Sequence, residues 1–128
     1  MHPQSLYEHL GDDVFQALVA GFYARVKEDD LIGPMYPDDD WDGAEWRLKA
    51  FLTQYWGGPR DYSEQRGHPR LRMRHQPFPI TRDAALRWLE IMEASMADIP
   101  ADKLPDEARA ALLDHMQRVA GMVINTAG

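Results

Sequence analysis

The sequence contains no cysteine. Disulfides and thiolate-ligated metals are thereby excluded, and His, Asp, Glu, Tyr and Met are left as candidate ligands. No run of about 18 apolar residues occurs, so nothing is suited to span a membrane. No stretch alternates strictly at period 2 and no internal repeat is visible, which argues against strands and repeat architectures. The first residues, Met1 to Ser5, lack a basic region followed by an apolar run. No signal peptide is therefore expected, and the cytoplasm is the simplest address. Positive charge is also scarce, with 14 Lys and Arg against 21 Asp and Glu and a net charge of −7.

What positive charge there is collects in one place. Residues 60–74 hold Arg60, Arg66, Arg70, Arg72 and Arg74 against Asp61 and Glu64, a net +3, so the remainder carries −10. One basic island on an acidic chain points to one anionic partner. The bland alternative is a solvated loop whose arginines pair with nearby acids. The island ends in Leu71-Arg72-Met73-Arg74-His75-Gln76-Pro77-Phe78. Pro69 suits the first turn of a short helix there, Leu71 and His75 lie four apart on one of its faces, and Pro77 and Pro79 end it.

The length of 128 residues is that of one domain, residues 1–128. The apolar periodicity predicts helices throughout. Ser5 to Gly11 reads as one or two turns. Asp12 or Asp13 caps a helix to about Glu28, with Phe15, Leu18, Val19, Phe22 and Val26 on one face and Tyr23 at its edge. Gly33, Pro34 and Pro37 break the chain, and Met35 and Tyr36 should turn inward. Asp38-Asp39-Asp40 reads as a solvated turn, since the EF-hand spacing is missing. Asp42 with Glu45 resembles a capping box. It opens the cleanest amphipathic helix, with Ala44, Leu48, Phe51, Leu52 and Tyr55 on its apolar face and Arg47 at the rim. Gly57-Gly58-Pro59 ends that helix, and residues 59–70 read as a long loop in which Tyr62 argues for ordered docking. Thr81 caps a helix to about Asp98, whose face carries Ala85, Trp88, Leu89, Met92, Met96 and Ile99. The last helix starts at Leu104-Pro105-Asp106 and buries Leu112, Met116, Val119, Ala120 and Val123. His115 on that face reads as a satisfied core or edge histidine. The expected class is all-α.

Tyr23, Tyr36 and Trp88 are large aromatics with polar tips on or beside apolar faces, and such tips need partners when buried. Converging, they would line a cavity with hydrogen-bond donors. His75 has no His, Asp or Glu at i+3 or i+4, so a bare metal there would be under-coordinated. A planar cofactor with four equatorial nitrogens removes that difficulty. Haem fits, with one axial histidine, an apolar ring, and two propionates matched to the arginine island. Taken alone, Tyr23 reads first as a core tyrosine with its hydroxyl bonded to backbone.

The run Phe51-Leu52-Thr53-Gln54-Tyr55-Trp56-Gly57-Gly58-Pro59, followed by Tyr62 to His75, closely resembles the group II truncated haemoglobins. Met35-Tyr36-Pro37 and Arg87-Trp88-Leu89 match at the expected distances, and the resemblance covers essentially the whole chain. It implies a two-over-two helical sandwich around haem b. By position, His75 is implied as the proximal iron ligand, and Tyr23, Tyr36 and Trp88 as the distal polar residues. Ala44 stands where many globins place a distal histidine. Ala44, Leu48, Phe51, Leu71 and Phe78 are implied pocket walls, and Arg47, Tyr62 and Arg74 the propionate contacts. Gly11-Asp12 departs from the Gly-Gly often found between the first two helices.

The expected ligands are oxygen, nitric oxide, carbon monoxide or peroxide, with a reductant of unknown kind, in a monomer or homodimer. Neutral Tyr and Trp donors should hold oxygen tightly and release it slowly. The resemblance is also compatible with peroxide reduction or with oxidation of nitric oxide. The rival reading, a haem-free helical module binding nucleic acid through the arginine island, is opposed by the short island, the acidic chain and the lack of a nucleic-acid motif.

Overall fold

The structure, a computed structural model, describes residues 6–66 and 80–125. Among them are six α-helices and no strand: α1 (Leu6–Leu10), α2 (Asp12–Val26), α3 (Trp41–Tyr55), α4 (Asp61–Arg66), α5 (Arg82–Ala97) and α6 (Asp106–Val123). A single 3-10 turn, Gly33–Met35, lies between α2 and α3. None of these helices is long and apolar enough to cross a membrane.

Helix α2 is the hub. It packs against α3 on one side and α5 on the other, and α5 packs in turn against α6. The result is two helix pairs, α2 with α3 and α5 with α6, laid one over the other. Phe15, Leu18, Val19, Phe22 and Val26 are fully buried, as the 3.6-residue period requires. Met92, Met96, Leu112 and Met116 complete the core from the other pair.

The corner between α1 and α2 depends on one glycine. Gly11 has φ 91°, a left-handed conformation that a Cβ disfavours. Asp12 needs no such freedom, because it is already the first residue of α2. It does not cap the helix as expected. Its carboxylate instead accepts from the Tyr7 hydroxyl at 2.8 Å and pairs with Lys49 at 2.9 Å, tying α1, α2 and α3 together.

Two further expectations need correction. Helix α3 begins one residue early, after Asp40, and the Asp42–Glu45 capping box does not form. Glu45 accepts from Gln16 of α2 instead, and Asp40 pairs with Arg47. Long-range partners outcompete the local cap. Within residues 59–70, Asp61–Arg66 is helical rather than loop. The Gln54 side chain explains why: it donates to Ser63 Oγ at 2.7 Å and accepts from the Ser63 N–H at 2.9 Å. Tyr62 is buried there, as its aromatic body suggested. Finally, His115 is a core histidine, stacked on Tyr55 at 3.6 Å, and its Nδ1 has no hydrogen-bond partner among the described residues.

Candidate functional site

Three segments far apart in sequence bring polar tips to one point. Tyr23 comes from the last turns of α2, Tyr36 from the stretch after the 3-10 turn, and Trp88 from the middle of α5. Tyr36 turns inward because Pro34 and Pro37 prevent a regular element, while Gly33 lets the chain pass against the Val26 carbonyl. The rings form a contiguous group. Phe22 meets Tyr23 edge-on at 4.9 Å and Trp88 at 5.1 Å, and Tyr23 meets Tyr36 at 5.6 Å and 89°.

The polar tips of Tyr23 and Trp88 both act on the Tyr36 hydroxyl. Trp88 can only donate, and a phenol oxygen can accept and still donate once. Tyr36 can therefore receive the Trp88 N–H and still have a proton to offer. Burial keeps both phenols protonated. The Tyr23 pKa is raised by desolvation first and then by the neighbouring Tyr36. The Tyr36 pKa is raised by burial, against the opposing pull of the bonds from Tyr23 and Trp88 and of the nearby Arg47 charge.

The Tyr36 segment is held to α5 by Asp29. Its carboxylate accepts from the backbone N–H groups of Leu31 and Ile32 at 3.0 and 2.9 Å, and from Arg87 at 2.6 Å. Desolvation would raise the Asp29 pKa, but these donors outweigh it and hold it below the usual carboxylate range. Arg87 is the neighbour of Trp88, so one ion pair registers two of the three donors against each other.

Helix α3 supplies the wall. Ala44 is buried at 4%, and Leu48 and Phe51 are partly buried and packed against the core. Phe51 contacts the buried Tyr62 ring at 5.9 Å. Arg47 at the rim pairs with Asp40 at 2.9 Å, and its charge reaches both Tyr23 and Tyr36. His75, Leu71, Arg74 and Phe78 lie outside the described residues. Two features went unnoticed in the sequence: the Asp29–Arg87 tether and Trp41, which stacks on Tyr36 at 5.5 Å. Trp41 was detectable as an aromatic inside an otherwise acidic, polar stretch. The tether, spanning 58 positions, left no local signal.

Residues 5–125 match the bacterial-like globin family. A group 2 truncated hemoglobin of Bacillus subtilis is 40% identical over 119 residues, covering 93% of this chain and 87% of that protein. This chain is a group II truncated globin. The group II truncated hemoglobin from Bacillus anthracis superposes with a TM-score of 0.88 at 35% identity, covering 100% of this chain and 96% of that one. A truncated oxygen-avid haemoglobin from Bacillus subtilis does so with a TM-score of 0.85 at 39% identity, covering 94% and 98%.

The family implies a haem cofactor, and globins bind small diatomic ligands. The described residues of this globin fit such a group. No set of three His, Asp or Glu among them could hold a bare metal ion. What they offer is the apolar side chains of α3 and the neutral polar tips of Tyr23, Tyr36 and Trp88, the kinds of group a flat apolar ring with a small polar ligand requires.

Proposed function

We propose that this globin binds oxygen at ferrous haem and releases it slowly. The convergence of the polar tips of Tyr36, Tyr23 and Trp88 carries the reading. His75 would hold the haem iron, Ala44, Leu48, Phe51, Leu71 and Phe78 would wall the ring, and Arg47, Tyr62 and Arg74 would hold the propionates. Bound haem b supplies an iron at which a diatomic molecule adds. The protein then acts on that molecule's outer atom. Where this atom carries partial negative charge, as with oxygen, Tyr36 donates a hydrogen bond to it. Trp88 and Tyr23 flank Tyr36 and hold it in place. Carbon monoxide carries little charge on its outer atom and gains less.

A hydrogen bond to a charged group contributes roughly 1.5–3 kcal/mol, equivalent to about 10- to 150-fold in affinity. Donors already in place lose little on ligand binding, so that gain falls mainly on the release rate. The oxygen-avid character of the Bacillus subtilis relative supports the same reading. The test is haem reconstitution of wild type and His75→Ala, followed by stopped-flow oxygen release. A Soret band altered in the variant and a slow wild-type off-rate are expected. A colourless wild type would refute haem binding, and rapid release would refute tight holding.

A second reading, redox turnover of peroxide or of nitric oxide with oxygen, is favoured by one observation. Oxidisable Tyr and Trp rings run in contact from the donor cluster toward the surface through Trp41.

A further inference from the structure

A cavity of about 600 Å³ opens to solvent beyond the end of α2, on the outer side of Tyr36. Lys27, Asp29, Pro34, Tyr36, Asp38 and Trp41 are among its lining residues. It is large enough for a small aromatic molecule. Tyr36 belongs to both compartments. It meets Tyr23 edge-on inside, while it helps to wall the cavity outside.

Trp41 continues the path. It lies parallel to Tyr36, with ring centroids 5.5 Å apart and planes at 29°, and 6.3 Å from Tyr23. It is only partly buried, so part of its ring is accessible from the cavity. Tyr and Trp are the most readily oxidised aromatic side chains, and every ring along this path is one of them. The Lys27 ammonium stands 5.6 Å from the Trp41 ring centre, a cation–π contact that also presents a positive charge to an incoming oxygen atom. A bound phenol would find an aromatic surface at Trp41 and polar partners at Lys27 and Asp38.

We propose that this cavity docks a small phenolic reductant, whose electrons enter the distal pocket one at a time through Trp41 and Tyr36. The proposal rests on the peroxide-reducing reading above. Hydrogen peroxide and two phenols give two waters and two phenoxyl radicals. The O–O bond breaks and takes up two electrons and two protons. Each phenol loses one electron through the rings and one proton to water at the cavity mouth. Trp41 and Tyr36 end each cycle as they began.

The experiment uses the haem-loaded protein, hydrogen peroxide, and guaiacol as the probe phenol. Trp46 is the internal control, since it is 38% exposed and has no part in the ring path. With peroxide alone, peptide mass mapping should find oxygen added to Trp41 ahead of Trp46, and guaiacol should suppress it. In Trp41→Ala the guaiacol KM should rise about 2- to 10-fold, the worth of one aromatic stacking contact. Trp41→Phe keeps the packing on Tyr36 and should lose turnover at nearly unchanged KM, so a folding defect in the alanine variant leaves the idea testable. Trp46→Phe should behave as wild type. Guaiacol turnover with Trp46 oxidised first, or with both Trp41 variants kinetically normal, would overturn the docking site while leaving peroxide reduction intact. A wild type that oxidises no guaiacol would overturn the redox reading and this inference with it.

Discussion

Replacing Tyr36 with Phe tests the order of donors in the distal cluster. The ring stays, so the contacts with Tyr23 and Trp41 survive. The hydroxyl on which Tyr23 and Trp88 act goes, and with it the proton proposed to reach the ligand. Losing a hydrogen bond to a partly charged ligand costs roughly 1.5–3 kcal/mol, or about 10- to 150-fold in oxygen off-rate. Part of this is recovered if the released Trp88 N–H turns toward the ligand, so the lower half of the range is expected. Tyr23 and Trp88 also lose a polar neighbour, which lowers stability by about 1–3 kcal/mol. In Tyr23→Phe, Tyr36 keeps its own proton and its bond from Trp88, so oxygen release should quicken far less. The assay is stopped-flow displacement of oxygen by carbon monoxide, with carbon monoxide release as a control that should hardly move. If Tyr23→Phe accelerates oxygen release while Tyr36→Phe does not, the donor assignment is wrong and Tyr23 faces the ligand directly.

Asp29→Ala removes the acceptor of two backbone N–H groups and of Arg87. It should lower stability by about 1–2 kcal/mol and quicken oxygen release without touching the ligand; denaturant midpoints and off-rates measured together would show whether the tether positions Tyr36. His115 has a pKa pushed down to about 4, chiefly by burial and then by the Arg118 charge. The unfolded chain, with the ordinary value of 6.5, binds the proton first, so stability should fall as pH drops from 6.5 toward about 4 and be flat above. The loss is on the order of 3 kcal/mol, and thermal melts of His115→Phe should lack that slope. Gly21→Ala would place a Cβ 2.6 Å from Ser95 Oγ, which donates to the Leu18 carbonyl across the α2–α5 contact. A loss of about 1–3 kcal/mol is expected, and an unchanged melting temperature would show that this contact has slack.

The helix faces were readable because helical period is a local property. Phe15 to Val26 repeat at the spacing that puts them on one side, and all are buried. Thr81 caps α5 as its residue type suggests, accepting from the Ala84 N–H at 3.1 Å. Local signals failed where a distant partner competed for the same side chain. Asp12 was taken by Tyr7 and Lys49, and Glu45 by Gln16. Helix α4 was missed because its anchor, Gln54, belongs to another helix.

Tyr23, Tyr36 and Trp88 could be named from the sequence, through their polar tips on apolar faces and through the resemblance to truncated globins. Spacing alone could not say that they meet. What the sequence by itself determined was therefore the all-α class, the buried faces, the helix stops and the family. What only the tertiary structure decided was that Tyr23, Tyr36 and Trp88 converge, how Asp29 and Arg87 register that cluster, and that Trp41 links it to an outer cavity. The reason is physical. Periodicity and capping depend on neighbours within a turn or two, whereas the partners of a buried polar atom are fixed by the packing of whole helices against each other.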